Sequence, residues 1–328
     1  MRQSAVLSVI AAGLAVGCGS AETIDQRIPF VRDGTVEVDL DYGEGLRPDP
    51  GALRVTAHDL DEVHVFGESS GWGSWDVAFR VDQHESSVRV VASVNGATSW
   101  LFGGPQVQLR VRVPRETALD LRCSDGPVRI EDVHGSVRAR TGDGRIEVLG
   151  VEGAVRLRTA DGDIHVSDVV GDVYAKASLG DLELRWIEGD VEARTGSGRI
   201  EAAHISGHLE VRTDRGEIDL DAIAASVEAK TERGGVSARF ADVAEVSLET
   251  RRGSMEVLLP PVAGAHLDAV ARGGDIELGD GLRLVADVAA ASDGDGGDGA
   301  KRVQGEIDGG GPPLRLYTSR GRIRVGRR

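Results

Sequence analysis

A glycine recurs every nine residues through the middle of this chain, and that spacing leaves room for very few folds. Gly126, Gly135, Gly144, Gly153, Gly162, Gly171, Gly180, Gly189, Gly198, Gly207 and Gly216 are followed in step by Ala225 and Gly234. Glycine makes up only 45 of the 328 residues, so chance does not put it at twelve of thirteen evenly spaced positions. The beat alternates in character, so two beats make the repeating unit, an 18-residue coil. One half reads Thr141-Gly142-Asp143-Gly144-Arg145-Ile146-Glu147-Val148, and the other reads Gly153-Ala154-Val155-Arg156-Leu157-Arg158-Thr159. Within each half, apolar and polar residues alternate with period two, as in a strand with one buried face. Glycine at each strand end fits a turn that needs positive φ or close backbone approach.

Two short strands cannot bury their own apolar face. Stacking successive 18-residue coils at a spacing of about 4.8 Å pairs their backbones and makes one continuous core. The expectation is an all-β chain, a β-solenoid of about 18-residue coils, with two nine-residue halves in each. Its domains are read as a signal peptide at 1–17, a linker and N-terminal β cap at 18–106, and the solenoid at 107–328. A Gly/Asp-rich excursion interrupts the solenoid at about 286–312, and Thr318-Ser319-Arg320-Gly321-Arg322-Ile323-Arg324-Val325 restores the repeat pattern after it. The cap is expected because an exposed terminal edge is prone to aggregate.

The start of the chain lies outside this pattern. Residues 5–16 form an almost wholly apolar run after Arg2. Spanning a bilayer takes about 20 apolar residues, so a run this short suits the core of a signal peptide. Ala15-Val16-Gly17-Cys18 resembles a lipobox, with Ala15 where leucine is usual. That resemblance implies cleavage before Cys18, a lipid on its sulfur, and anchoring in the cell envelope. Gly19 is not the aspartate that retains such proteins in the inner membrane, so an outer membrane is expected where the host has two. The competing reading is an ordinary signal peptide with an incidental cysteine. Removing residues 1–17 takes away one charged group, Arg2, and moves the formal charge from −16 to −17. Such acidity argues against nucleic acid as a partner. Once Cys18 is lipidated, Cys123 has no partner for an intrachain disulfide.

Gln108-Leu109-Arg110-Val111-Arg112-Val113-Pro114, the Thr-x-x-Gly-x-Ile-x-Val units, and the closing Gly311-Pro312-Pro313-Leu314-Arg315-Leu316-Tyr317 resemble the bacterial "putative-adhesin" family, a domain of unknown function. The resemblance covers roughly residues 30–328. It implies an envelope or secreted location and Gly-rich β repeats, and it brings no catalytic residues.

Three groups of residues are candidates for chemistry. Asp143, Asp161, Asp163 and Asp181 flank beat glycines in successive coils, where stacked carboxylates could hold Ca²⁺; the alternative is that Asp-Gly is simply good turn chemistry. Asp161, Asp163 and Asp181, beside a basic residue, could imitate a polysaccharide lyase or hydrolase on a β-helix, although solenoids align carboxylates by geometry alone. Finally, Arg122, Arg140, Arg158, Lys176, Arg194, Arg212 and Lys230 recur at 18-residue spacing on one outer face. Glu192, Glu210 and Glu228 lie two residues before the later members and can pair with them. Arg138, Arg156 and Tyr174 occupy the early positions instead, so Arg138, Arg140, Arg156, Arg158, Tyr174 and Lys176 form a candidate anion-binding grid. The expected protein is a non-catalytic envelope lipoprotein with no cofactor. Its expected partners are the membrane, through the N-terminal lipid, and an anionic glycan, lipid headgroups or another envelope protein. A carbohydrate-active enzyme is the alternative.

Overall fold

The structure, a computed structural model, describes residues 7–12, 22–42, 52–70, 75–96, 106–279, 281–287 and 300–328. All regular secondary structure among the described residues is β. The chain divides into two compact units, Met1–Val170 and Gly171–Arg328. Each is built from two sheets, called sheet one and sheet two below, whose inner faces hold the core.

In the first unit, one coil contributes Val137–Asp143 to sheet one and Ile146–Glu152 to sheet two. The next contributes Val155–Asp161 and Ile164–Val170. These strands pair parallel and in register, each residue with its counterpart one coil on: Val137 with Val155, Arg138 with Arg156, Ile146 with Ile164. The 18-residue coil is therefore the physical repeat. Alternation does the rest, since Val137, Ala139, Val155 and Leu157 are buried while Arg138, Arg140, Arg156 and Arg158 are exposed.

The glycine beat has two physical causes, both present at Gly162. Its φ of +144° suits a residue without a side chain, and an added Cβ would stand 2.3 Å from the carbonyl oxygen of Gly144 in the previous coil. Backbones at the turn therefore stack closer than any side chain allows. The Gly144 amide donates to the Asp161 carbonyl at 2.7 Å across the same edge. The threonine of the repeat closes this edge from inside: Thr159 Oγ1 donates to the Gly144 carbonyl at 3.3 Å.

Parallel coils extend into the segment read from sequence as a cap. Thr35–Tyr42 and Ala52–His58 pair parallel with Ala118–Asp125 and Val128–Glu131. Ser87–Gly96 and Gln106–Pro114 then pair parallel on the other side of that coil. The coil at 35–58 is thus inserted between 87–114 and 118–131, although 118 follows 114 almost directly. The antiparallel strands Trp75–His84 and Glu62–Ser70 cover this end, followed by Thr23–Pro29. Switching from parallel to antiparallel pairing ends the stack without leaving an open edge of the repeat type. Leu7–Ala12, within the segment read as a signal peptide, pairs antiparallel with Trp75–His84. Cys18 lies outside the described residues.

The second unit repeats the arrangement. Its sheet one runs Val173–Leu179, Val191–Ser197, Leu209–Arg215, Val227–Arg233 and Val246–Arg252, and sheet two carries the matching strands from Leu182–Glu188 to Met255–Leu259. The chain then forms an outer coil, Ala265–Ala271 with Ile276–Leu278, and returns to insert Pro313–Arg320 and Ile323–Arg327 beneath it. The inserted coil carries the repeat chemistry and the outer one lacks it. Thr318 Oγ1 donates to the Gly253 carbonyl at 3.1 Å, whereas Ala271 occupies the register position beside Thr318. Lys301–Ile307 lies inside the expected excursion, where it pairs antiparallel with Ala265–Ala271 and with Leu284–Asp287.

Candidate binding faces

The arginine grid is divided between the two units. On sheet one of the first unit, Arg138 and Arg140 stand in register with Arg156 and Arg158, all four exposed. The adjoining strand supplies Asp120, whose Oδ2 lies 3.4 Å from Arg122 and 3.7 Å from Arg138. This partly neutralises a face that looked uniformly basic in sequence. Arg140 makes no ion pair within 4 Å among the described residues. Tyr174 and Lys176 belong to the second unit, in register with Glu192 and Arg194.

In the second unit the basic column is paired from Arg194 to Lys230. Arg194 meets Glu192 at 2.9 Å and Glu210 at 2.8 Å, and Arg212 meets Glu210 at 3.2 Å and Glu228 at 2.8 Å. Lys230 meets Glu249 at 3.0 Å. Each of these basic side chains thus reaches a carboxylate of the next coil. For Arg194 and Arg212 the reach is diagonal and follows from parallel register, because Glu192, Glu210 and Glu228 stand in register two residues before the basic column on three successive strands.

The acidic turn residues do not converge. Asp143 and Asp161 stand in register on one turn edge of the first unit. Asp163 instead pairs with Arg145 at 3.2 Å. Asp181, in the second unit, accepts the Arg199 backbone amide at 2.7 Å. Among the described residues no three His, Cys, Asp or Glu side chains group as a metal site. Asp125, one coil before Asp143, has its carboxyl pushed up, first by burial and then by the charge of Asp143. Cys123 fills the threonine slot, buried, with Sγ donating to the Asp125 carbonyl at 3.0 Å. Burial pushes its thiol up to about 12, which suits a core residue and not a nucleophile.

The feature that sequence reading missed is on sheet two of the second unit. Trp186 and His204 stack with ring centroids 3.8 Å apart and planes within 6°. They occupy the same slot of successive coils, so the repeat register held the signal. Both have left-handed backbones, with φ of 56° and 57°, and Ala222 follows at 51°. In the first unit the same slot holds Asp132, Gly150 and Asp168, residue types that tolerate this conformation readily. Trp or His there costs about 1–2 kcal/mol, and the stack returns about 0.5–1.5 kcal/mol. Trp186 is nonetheless 54% exposed.

The indole borders a trough of about 570 Å³ lined by Arg185, Glu201, Ala203, Asp219, Asp221 and Arg239. Ala203 stands in register between Arg185 and Asp221, and its small side chain deepens the floor. Arg239 Nε donates to Asp221 Oδ1 at 2.9 Å and holds that carboxyl below its usual range. Burial pushes the Asp219 carboxyl up. A second trough, also about 570 Å³, shares Asp219 and runs on past Ser237 and Glu256 to Arg322 and Arg324.

Two solved structures are similar to the chain. One is a "putative cell adhesion protein" from Clostridium sporogenes ATCC 15579, at 10% identity and a TM-score of 0.20, covering 95% of this chain and 100% of that one. The other is a "putative adhesin" from Bacteroides fragilis NCTC 9343, at 12% identity and a TM-score of 0.39, covering 72% of this chain and 96% of that one. No curated protein matches. The Toastrack DUF4097 family model matches residues 76–303, well over half of the chain, and the chain belongs to that family.

Proposed function

We propose that this protein is a non-catalytic binding module of the cell envelope, tethered by a lipid on Cys18, that holds an anionic envelope component on the arginine face of its first unit. The observation that carries the reading is the register of Arg138 with Arg156 and Arg140 with Arg158. Side chains on adjacent strands are about 4.8 Å apart, and those two residues apart on one strand about 7 Å. Guanidinium groups at these spacings can each hold a phosphate or carboxylate through two hydrogen bonds. Contacts on an exposed face are individually weak, so binding is multivalent and falls with salt.

The test changes Arg138, Arg140, Arg156 and Arg158 to Gln and measures binding to phosphatidylglycerol vesicles and to an acidic polysaccharide at low and moderate salt. Arg194 and Arg212, already paired with glutamates, are changed as the control. Loss of binding in the first variant alone is expected; equal binding by both variants and the wild type refutes the reading. Replacing Cys18 by Ser should abolish fatty-acid labelling and release the protein from membranes. A binding module also leaves oligosaccharides intact, so release of new reducing ends by the wild type would favour the enzyme alternative.

A further inference from the structure

We infer that the trough beside Trp186, on sheet two of the second unit, binds a neutral oligosaccharide. Its aromatic wall is the first reason. The corner slot at 186 is satisfied at lowest cost by Gly or Asp, as at Gly150 and Asp168, yet here it carries the largest side chain available, half-exposed and in a left-handed backbone. Neither burial nor backbone preference explains an indole at this place. A strained residue at a surface concavity is where ligand contact is expected to compensate for the strain.

The charge of the trough is the second reason. Arg239 is bonded to Asp221, and Arg185 lies 2.5 Å from Glu183 and 3.8 Å from Glu201. Arg185 and Arg239 are both paired and face three lining carboxylates, Glu201, Asp219 and Asp221, so the wall offers fixed donors and acceptors with a slight acidic excess and no free cation among its described residues. That suits hydroxyl and amide groups better than phosphate. A flat indole next to such groups fits a pyranose ring, which has an apolar C–H face and a hydroxylated rim. The third reason is continuity. The second trough shares Asp219 and carries Ser237, Glu256 and Arg324 further along the same face, so the surface accommodates several sugar units in a row.

The trough shares no residue with the arginine face, and the two tests fail independently. Tetramers of N-acetylglucosamine, of β-1,4-linked glucose and of α-1,4-linked glucose are titrated by calorimetry and by indole fluorescence. At least one should bind, and Trp186→Ala should weaken it by about tenfold or more. His204→Ala should weaken it less, and Arg138→Gln with Arg140→Gln should leave it unchanged. Trp186→Gly separates a binding role from a structural one. Glycine suits the left-handed backbone, so this variant should keep or raise the thermal midpoint while losing the sugar. No binding by any tetramer at millimolar concentration, unaltered binding by Trp186→Ala, or a lowered midpoint in Trp186→Gly with binding retained would each overturn the inference.

Discussion

Deleting residues 199–216 removes one coil from the second unit and should leave a folded protein, whereas deleting only 199–207 should not. The longer deletion joins Gly198 to Glu217 in phase. Val191, Ala193 and Thr195 then meet Val227, Ala229 and Thr231, and Leu182 meets Ile218, so every inward position stays apolar or threonine. Thr231, which donates to the Gly216 carbonyl at 3.1 Å, finds the Gly198 carbonyl in its place. At about 0.05–0.15 kcal/mol of net stability per residue, losing one coil costs about 1–3 kcal/mol. The nine-residue deletion moves each following residue into the slot nine positions earlier. Asp214 enters the buried slot of Ile205, and Ala225 enters that of Gly216. There the backbone φ is +159° and a Cβ would lie 1.8 Å from the Gly198 carbonyl oxygen. A buried carboxylate alone costs several kcal/mol, more than the whole coil contributes. Urea unfolding followed by far-ultraviolet circular dichroism gives the comparison. A nine-residue deletion as stable as the 18-residue one would refute the assignment of the repeat and the packing argument built on it.

Smaller perturbations test the turn edge and the core. Thr213→Val removes the donor to the Gly198 carbonyl at 3.2 Å and should cost about 0.5–1.5 kcal/mol, read as a lower urea midpoint, while Thr213→Ser should keep more of the stability. Cys123 should resist iodoacetamide at pH 8 in the folded protein and react fully in urea, since its thiol is pushed up to about 12; rapid native alkylation would contradict its burial. Asp125 is an acid raised in the folded state, so its ionised form weakens the fold at neutral pH and protonation relieves this as pH falls through the raised value. Asp125→Asn should therefore be more stable than wild type at pH 7, with the gap closing in acid; a gap that widens in acid would invert the assigned cause.

The sequence by itself determined the coil. A separation of one coil is short enough to read directly: the alternation names the inward side chains, and the glycine column marks where backbones stack too closely for a Cβ, as at Gly162. It also gave the opposed columns of Arg194, Arg212 and Glu210, because parallel register turns spacing along the chain into proximity. Only the tertiary structure decided the order of the coils at the two chain ends. Pro313–Arg320 pairs with Val246–Arg252, and Thr35–Tyr42 with Ala118–Asp125, each across several coils' worth of intervening chain. Every strand of this alternation offers the same backbone edge and a similar inner face, so the pattern specifies that a strand joins the stack but not which coil it joins. The stack of Trp186 on His204 was hidden for a related reason. Their spacing was visible, but the left-handed corner that turns both rings outward is a property of the folded coil, imposed by the backbone geometry of its turn.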